Sequence, residues 1–314
     1  MEYMRINAIN DKWTLSKLIS NGSTANVFLA KENYTEAKVA LKVFDSMEET
    51  SRREAELLNG LDHPRIIKVT HHTVLDSDEA RAYLPEHQQL SVIAMEYAAK
   101  GDLLSLIEAF GRFPEMVARS YFKQLLDAIE YLHAQGIAHE DIKPENILID
   151  AEFNLKLADF GTAGRFSQDA SKTGVLGTPL YFCPEKHLET EYNPFKADLF
   201  SLGMVLFIMV TGNLPFEAAT EEDCLYNLII EGKFDEFWKT HEQLKEAQDG
   251  HLPKGMFKES FKSLLNRLFN YDPCERLTIN EIKQSEWVRG LSLEDKKLTD
   301  FVSQIASKMQ YMAN

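Results

Sequence analysis

Cysteine is scarce in this 314-residue chain: Cys183, Cys224 and Cys274 are widely spaced and odd in number, which fits neither a disulfide framework nor a zinc ligand pattern. A reducing intracellular compartment follows as the expectation, the cytoplasm first, with the nucleus compatible. Positive charge is also short. Against 49 acidic side chains stand 34 basic ones, a net charge of -15, so the chain lacks the field that draws nucleic acid or an anionic membrane. Basic partners are the ones such a surface favours. Long apolar runs are missing as well. The N-terminal M-E-Y-M-R-I-N-A-I-N-D-K-W has no hydrophobic core of the signal-peptide kind, and the most apolar stretch, Leu199 to Val210, reads as a buried helix too short to span a bilayer. No membrane insertion is expected, and neither repeats nor low-complexity runs interrupt the sequence.

What is present is the balance of a globular protein, 44% hydrophobic and 26% charged. From Trp13 to Tyr97 the segments W-T-L-S-K-L-I-S, N-V-F-L-A-K, K-V-A-L-K-V-F and L-S-V-I-A-M-E-Y are short and rich in β-branched or aromatic residues, as strands are. One helix is predicted among them, from Glu48 to Leu61, and the polar stretch Asp76 to Gln89 is predicted as a surface loop. Beyond Gly101 the apolar spacing turns helical, over Leu103 to Phe110, Glu115 to Ala134, Ala197 to Thr211 and Lys258 to Leu268. A small β-rich part is thus followed by a larger α-rich one.

The chemistry becomes specific in A-H-E-D-I-K-P-E-N-I-L-I-D, Ala138 to Asp150. Asp141 and Asn146 stand five positions apart with Lys143 between them, so one loop carries a carboxylate, an ammonium and an amide. A second carboxylate, Asp159, follows in A-D-F-G. In this order and spacing the two segments resemble the catalytic loop and the metal-binding D-F-G motif of the eukaryotic protein kinases. Val39, Ala40, Leu41 and Lys42 resemble the V-A-I-K strand, with a helix partner in R-R-E-A-E-L-L, Glu54 ahead of Glu56. Gly177, Thr178, Tyr181, Pro184 and Glu185 resemble the segment that closes the activation loop. Arg276 stands where the family's late arginine pairs with that glutamate, and Asp198 where it has a buried aspartate.

The resemblance covers Trp13 to Val288 and is strongest to the calcium/calmodulin-kinase-like and AMP-activated-kinase-like group. It implies an α+β, two-lobed fold: an extension over 1–12, a β-rich N-lobe over 13–97, an α-helical C-lobe over 98–290 and a helical tail over 291–314. The implied activity is ATP- and Mg2+-dependent phosphorylation of protein serine or threonine hydroxyls. Lys143-Pro144-Glu145 and Gly177-Thr178 mark that class over the tyrosine kinases. Phosphoryl transfer asks a protein mainly to position reactants and neutralise charge. Asp141 is expected to accept the substrate proton, Lys143 to meet the γ-phosphate, and Asn146 and Asp159 to ligate magnesium. Lys42, fixed by Glu54, would hold the other phosphates. The adenine is expected against Val27, Ala40 and Leu148 and on the hinge backbone of Glu96 and Ala98, with Met95 narrowing the pocket behind it.

Two departures stand out. The phosphate-covering loop L-I-S-N-G-S-T-A-N-V keeps only Gly22, with Ser20 and Ala25 at the other glycine positions, which implies a stiffer loop. Before the catalytic aspartate, where many relatives have an arginine that binds a phosphorylated loop, stands Glu140. It would repel phosphate, so phosphorylation at Ser167, Ser171 or Thr173 is not expected to switch the enzyme there; Arg165 or Lys172 is the expected partner. Cys183 replaces the alanine of A-P-E, small for small.

Asp102 and Glu145 stand where basic-directed relatives keep acids, implying substrates with basic residues upstream. Singly, Asp141, Lys143, Asn146 and Asp159 would serve as ordinary loop caps, and Lys42 as a solvated strand lysine. His139 and Phe160, with Leu58 and Val69, are expected in the core. His71 and His72, without metal-ligand spacing, read as surface or loop histidines. In the tail, Phe301, Val302, Ile305, Met309 and Met312 recur at helical intervals, for packing on the larger lobe first and a regulatory partner second. The depleted glycine loop and Glu140 keep a pseudokinase scaffold as the alternative reading.

Overall fold

In the computed structural model, which describes residues 8–9, 11–22, 25–45, 48–75, 90–251 and 257–312, the β-branched and aromatic runs pair into one antiparallel sheet. Its strands are β1 (Ala8–Ile9), β2 (Trp13–Asn21), β3 (Ala25–Glu32), β4 (Lys38–Asp45), β5 (Val69–Leu75) and β6 (Leu90–Glu96), in the order β1-β2-β3-β4-β6-β5. Alternation along the strands sends Trp13, Phe28, Leu41, Val43 and Val92 into one buried cluster. Helix α1 (Glu48–Asn59) packs on β5 and β6. It stops two residues before the expected Leu61, where Gly60 follows, a poor helix residue. Buried Ser51 on this helix meets Ser91 Oγ of β6 at 2.6 Å. The expected loop from Asp76 to Gln89 lies outside the described residues.

The described residues form two compact units: one runs to Ala99 and takes in Ala158–Gly161, and the other holds Lys100–Leu157 and continues from Thr162. The first is the β-rich part and the second the α-rich part. In the second, α2 (Leu103–Phe110) is capped by Asp102, whose carboxylate accepts the Ser105 N–H at 2.7 Å. Helix α3 (Glu115–Ala134) buries Val117, Tyr121, Leu125, Ile129 and Leu132 at helical spacing. Two short ladders, β7 (Ile137–Ala138) with β10 (Gly164–Arg165) and β8 (Ile147–Ile149) with β9 (Leu155–Leu157), fix the strand on either side of the loop 139–146.

Helix α4 (Pro184–His187) precedes α5 (Pro194–Thr211). The latter begins three residues before the expected Ala197: Pro194 suits the first turn and Asn193 caps it, accepting the Lys196 N–H at 3.1 Å. With those residues included, the helix is long and apolar enough to cross a membrane by length and composition, which corrects the shorter run read from the sequence; 89% of it is buried inside the protein. It ends at Gly212, φ 75°, where a Cβ would lie 2.0 Å from Gly111 O. Around α5 pack α6 (Cys224–Ile230), α7 (Phe234–Asp249) and α8 (Glu259–Leu268), through rings such as Phe200, Phe207, Tyr226 and Phe269. Arg276 reaches Glu185 through two bonds of 2.7 and 2.6 Å, both side chains buried.

Helices α9 (Ile279–Gln284) and α10 (Glu286–Arg289) lead to α11 (Asp295–Met312), which packs on α3. Its seam is Leu298 and Val302, both without solvent exposure, reinforced by Gln124 donating to Asp295 at 2.9 Å. Leu298 was not among the tail positions expected to pack, whereas Phe301 and Ile305 are only half-buried; the side chains at 309 and 312 lie outside the described residues. Leu298→Ala is therefore expected to cost about 2–5 kcal/mol, read as a lowered midpoint in urea unfolding.

On α7, His241 bonds Pro215 O at 2.9 Å between the rings of Phe207 and Phe237. Burial pushes its pKa down to about 4, against about 6.5 in an unfolded chain. The folded value is the lower one, so its contribution is complete above about pH 6.5 and disappears as pH falls towards about 4, a change of about 3 kcal/mol. His241→Gln, which keeps a donor for Pro215 O, is expected to flatten that part of the stability profile in urea titrations across this range.

Candidate active site

The β-rich unit carries a buried charge cluster. Lys42 lies in mid-β4, paired with Val27 on β3 and Ile93 on β6. Its ammonium meets both carboxylate oxygens of Glu54 at 2.8 Å and Asp159 Oδ1 at 2.9 Å. Glu54, from α1, is 2% exposed. Glu56 faces away and pairs with Arg52 at 3.0 Å on the exposed side of the helix, so helix phase decides between the two glutamates. Burial disfavours the Lys42 charge, but the carboxylates of Glu54 and Asp159 outweigh it and hold the pKa above the ordinary lysine value. Asp159 sits at φ 60° with its side chain half exposed, while Phe160 beside it is buried, as is Leu58.

The other nucleotide-binding candidates of this unit fall on the same sheet. Ala40 and Met95 are direct cross-strand neighbours, both buried. Ser20 pairs with Val27 across β2 and β3, and the hairpin closes with Gly22 N–H donating to Ala25 O at 3.0 Å. A Cβ at Gly22 would lie 3.0 Å from that same oxygen, which accounts for the one glycine kept. Ser23 and Thr24 at the tip lie outside the described residues. The Glu96 N–H donates to Lys68 O, so this residue would offer a ligand its carbonyl oxygen; Ala98, two residues on, is half-buried.

The α-rich unit carries the loop 139–146. Asp198, 1% exposed, accepts the N–H groups of His139 at 2.9 Å and Glu140 at 2.8 Å, with His133 Nε2 at 2.9 Å. Burial alone would raise its pKa; the His133 bond and charge outweigh it and keep the carboxyl below the ordinary range. Those two N–H bonds hold Glu140 at φ 65°, unusual for a residue with a side chain, and aim Asp141. Asp141 Oδ2 binds Lys143 at 2.8 Å and the Asn146 amide at 2.9 Å. Its Oδ1 is buried and has no hydrogen-bond partner among the described residues. Lys143 also donates to Thr178 Oγ1 at 2.6 Å. The Asn146 amide nitrogen donates again to Asp141 O at 2.8 Å, which fixes where its amide oxygen points.

Of the expected partners of Glu140, Lys172 is the one present, at 3.0 and 3.1 Å; Arg165 donates to Gln135 O instead. Tyr192, at 2.6 Å, and Lys186, at 3.8 Å, share that carboxylate and were missed from the sequence. Cys183 is buried at the start of α4. Glu145 accepts the Tyr181 hydroxyl at 3.3 Å, and Leu148 is half-buried in a bridge with Asp102. His71 and His72 belong to strand β5 and not to a loop, but His71 is exposed as the surface alternative expected, against the Trp13 ring, and His72 is half-buried beside Ser91.

Hard oxygen donors are what magnesium prefers, and it takes few of them from protein when phosphate and water complete its shell. The half-exposed Asp159 carboxylate and the oriented Asn146 amide oxygen fit that demand, each within its own unit. Among the described residues, no group of three or more His, Cys, Asp or Glu side chains is placed to hold a metal ion.

The chain is 33% identical over 289 residues to CBL-interacting protein kinase 30 of Oryza sativa subsp. japonica, covering 89% of this chain and 54% of the relative. It is 32% identical over 308 residues to CBL-interacting serine/threonine-protein kinase 18 of Arabidopsis thaliana, covering 93% and 53%. It is 31% identical over 284 residues to serine/threonine-protein kinase SIK2 of Gallus gallus, covering 88% and 32%. The chain thus spans about half the length of the plant relatives or less of the animal one. The protein kinase domain family matches residues 13–288, and with the Lys42–Glu54–Asp159 cluster and the Asp141 loop at the family's motif positions, the chain belongs to the protein kinase family.

Proposed function

We propose that this chain transfers the γ-phosphoryl group of ATP to serine or threonine hydroxyls of proteins. The observation that carries the reading is the state of Asp141. One carboxylate oxygen is fastened by Lys143 and Asn146, and the other is buried without a partner among the described residues. An orphaned carboxylate oxygen costs free energy unless something arrives to use it, and a substrate hydroxyl is a donor of the right kind. It would orient that hydroxyl and accept its proton as the phosphorus bond forms.

The remaining groups divide the charge. Lys42, kept cationic by Glu54, would hold non-transferred phosphates, and Lys143, already beside Asp141, would meet charge on the transferred group. Asp159 and Asn146, each in its own unit, would offer oxygen donors to magnesium, which supplies charge neutralisation for the phosphates. The Lys143–Thr178 bond gives the serine/threonine marker a physical sense, because the lysine that serves the reaction is steadied by the threonine of the closing segment. Asp102 is committed to capping α2, so Glu145, exposed and tied only to Tyr181 among the described contacts, is the acid we assign to a basic residue upstream in the substrate.

Labelled phosphate incorporation from Mg-ATP into a peptide with arginine upstream of a serine tests this. Asp141→Asn and Lys42→Met are each expected to lower the rate by about 10²–10⁴-fold while the chain stays folded by circular dichroism. A wild-type rate no higher than that of Asp141→Asn, on any serine or threonine peptide, would refute the proposal.

A further inference from the structure

The acid at position 140 does more than decline a phosphate. Its side chain has no solvent exposure, and three donors from three separate places approach it: Lys172, Tyr192 and Lys186. Lys172 and Tyr192 are opposite one another in an isolated antiparallel bridge, each N–H bonding the other's carbonyl at 3.0 Å. Directly opposed residues share a face, which is why both head groups reach one carboxylate. The Lys172 ammonium also lies 5.4 Å from the Phe166 ring and 5.7 Å from the Tyr192 ring. Burial and the Glu140 carboxylate push the Tyr192 phenol well above the ordinary tyrosine range, so it remains a donor.

The same residue is fastened from its backbone. Lys186 donates to Glu140 O at 3.1 Å and to Leu176 O at 3.0 Å, joining the loop before Asp141 to the far end of the segment. Gly177 follows at φ 103°, packed so closely that a Cβ would lie 2.5 Å from Glu140 O. Thr178, next in sequence, holds Lys143. From Lys172 through Thr178 the segment is therefore secured at both ends to groups on either side of Glu140 and Asp141.

We propose that Glu140 is a positioning residue which, with Lys172 and Tyr192, clamps the segment 166–177 in its working arrangement without a phosphate on that segment. The proposal rests on the kinase reading for the word working. The negative charge that a phosphate would bring to an arginine is here built into the catalytic loop, and its cation sits on the segment. Neutralising the acid would leave Lys172 and Lys186 near one another with no anion to separate them, a costly arrangement for buried charge.

Hydrogen exchange of segment 166–177 and steady-state kinetics, run on the full chain, test the clamp. Glu140→Gln and Lys172→Met are each expected to speed exchange in this segment by roughly tenfold or more, leaving α3 and α5 unchanged, and to lower kcat by a similar factor with KM for ATP altered less than about twofold. The double variant should be no worse than either single one, because both remove the same interaction. Lys172→Arg should keep most of the protection and rate, and alanine at Ser167, Ser171 and Thr173 together should leave both near wild type. Unchanged segment exchange in the single variants, additive losses in the double variant, or loss of protection in the triple alanine variant would each overturn the clamp. Should Glu140→Gln fail to fold, Lys172→Met, at a partly exposed site, decides alone. Exchange is read without turnover, so an inactive wild-type chain with a protected segment would sink the kinase reading and leave the clamp standing.

Discussion

A carboxylate shut away from water must have its hydrogen bonds met by the protein, and Asp198 meets that demand by taking two consecutive N–H groups of the loop 139–146. Much of the α-rich unit's site follows from this. Two backbone groups bonded to one buried anchor leave the chain little freedom in the residues between β7 and Asp141, and the left-handed turn at Glu140 is the conformation that reaches both. Asp198 stands on α5, the most enclosed helix among the described residues, so the anchor is as rigid as the core that surrounds it. The loop 139–146 is irregular in backbone and yet fixed by an enclosed helix.

The acids of the two units are treated in different ways. Glu54 is buried with both oxygens on Lys42, and Glu185 with both on Arg276; these pairs are closed, and their chemistry is spent on geometry. Asp141 has one buried oxygen without a hydrogen-bond partner among the described residues, and Asp159 keeps a face to solvent. An ion pair closed at both oxygens cannot also take up a proton or a metal without being broken. The division between acids with both oxygens paired and acids with one left over thus sorts the carboxylates differently from burial alone, since Asp198 and Asp141, in the same unit, fall on opposite sides of it.

Much of this was legible in the sequence because the signals are local. Strand runs, the α2 and α3 bounds and the apolar face of α3 all follow from spacing within a few residues. The choice of Glu54 over Glu56 is also local, being a matter of which side of one helix faces the sheet. The motif order supplied Arg276 with Glu185 and the burial of Asp198. The misses are of another kind. Tyr192 and Lys186 reach Glu140 across 52 and 46 positions, and no periodic pattern marks a side chain that serves a distant carboxylate. The length of α5 reads too short from the sequence for a reason that is local after all: Lys196 and Asp198 interrupt its first turns, so counting apolar residues starts too late, although the helix is buried as expected. Leu298 was passed over because it lies early in a tail whose more frequent apolar residues come later.

The cysteine at position 183 has a consequence for how the protein meets oxidants and alkylating reagents. Its thiol is sealed in beside Glu185, and burial first, with that carboxylate second, pushes its pKa up to about 12. Only the thiolate reacts readily with electrophiles. Cys183 is therefore chemically silent at neutral pH, whereas Cys224 and Cys274 are exposed and would take up label first. A sulfur set in the middle of the closing segment gives this protein the size of a small apolar residue there, without the vulnerability that usually accompanies it.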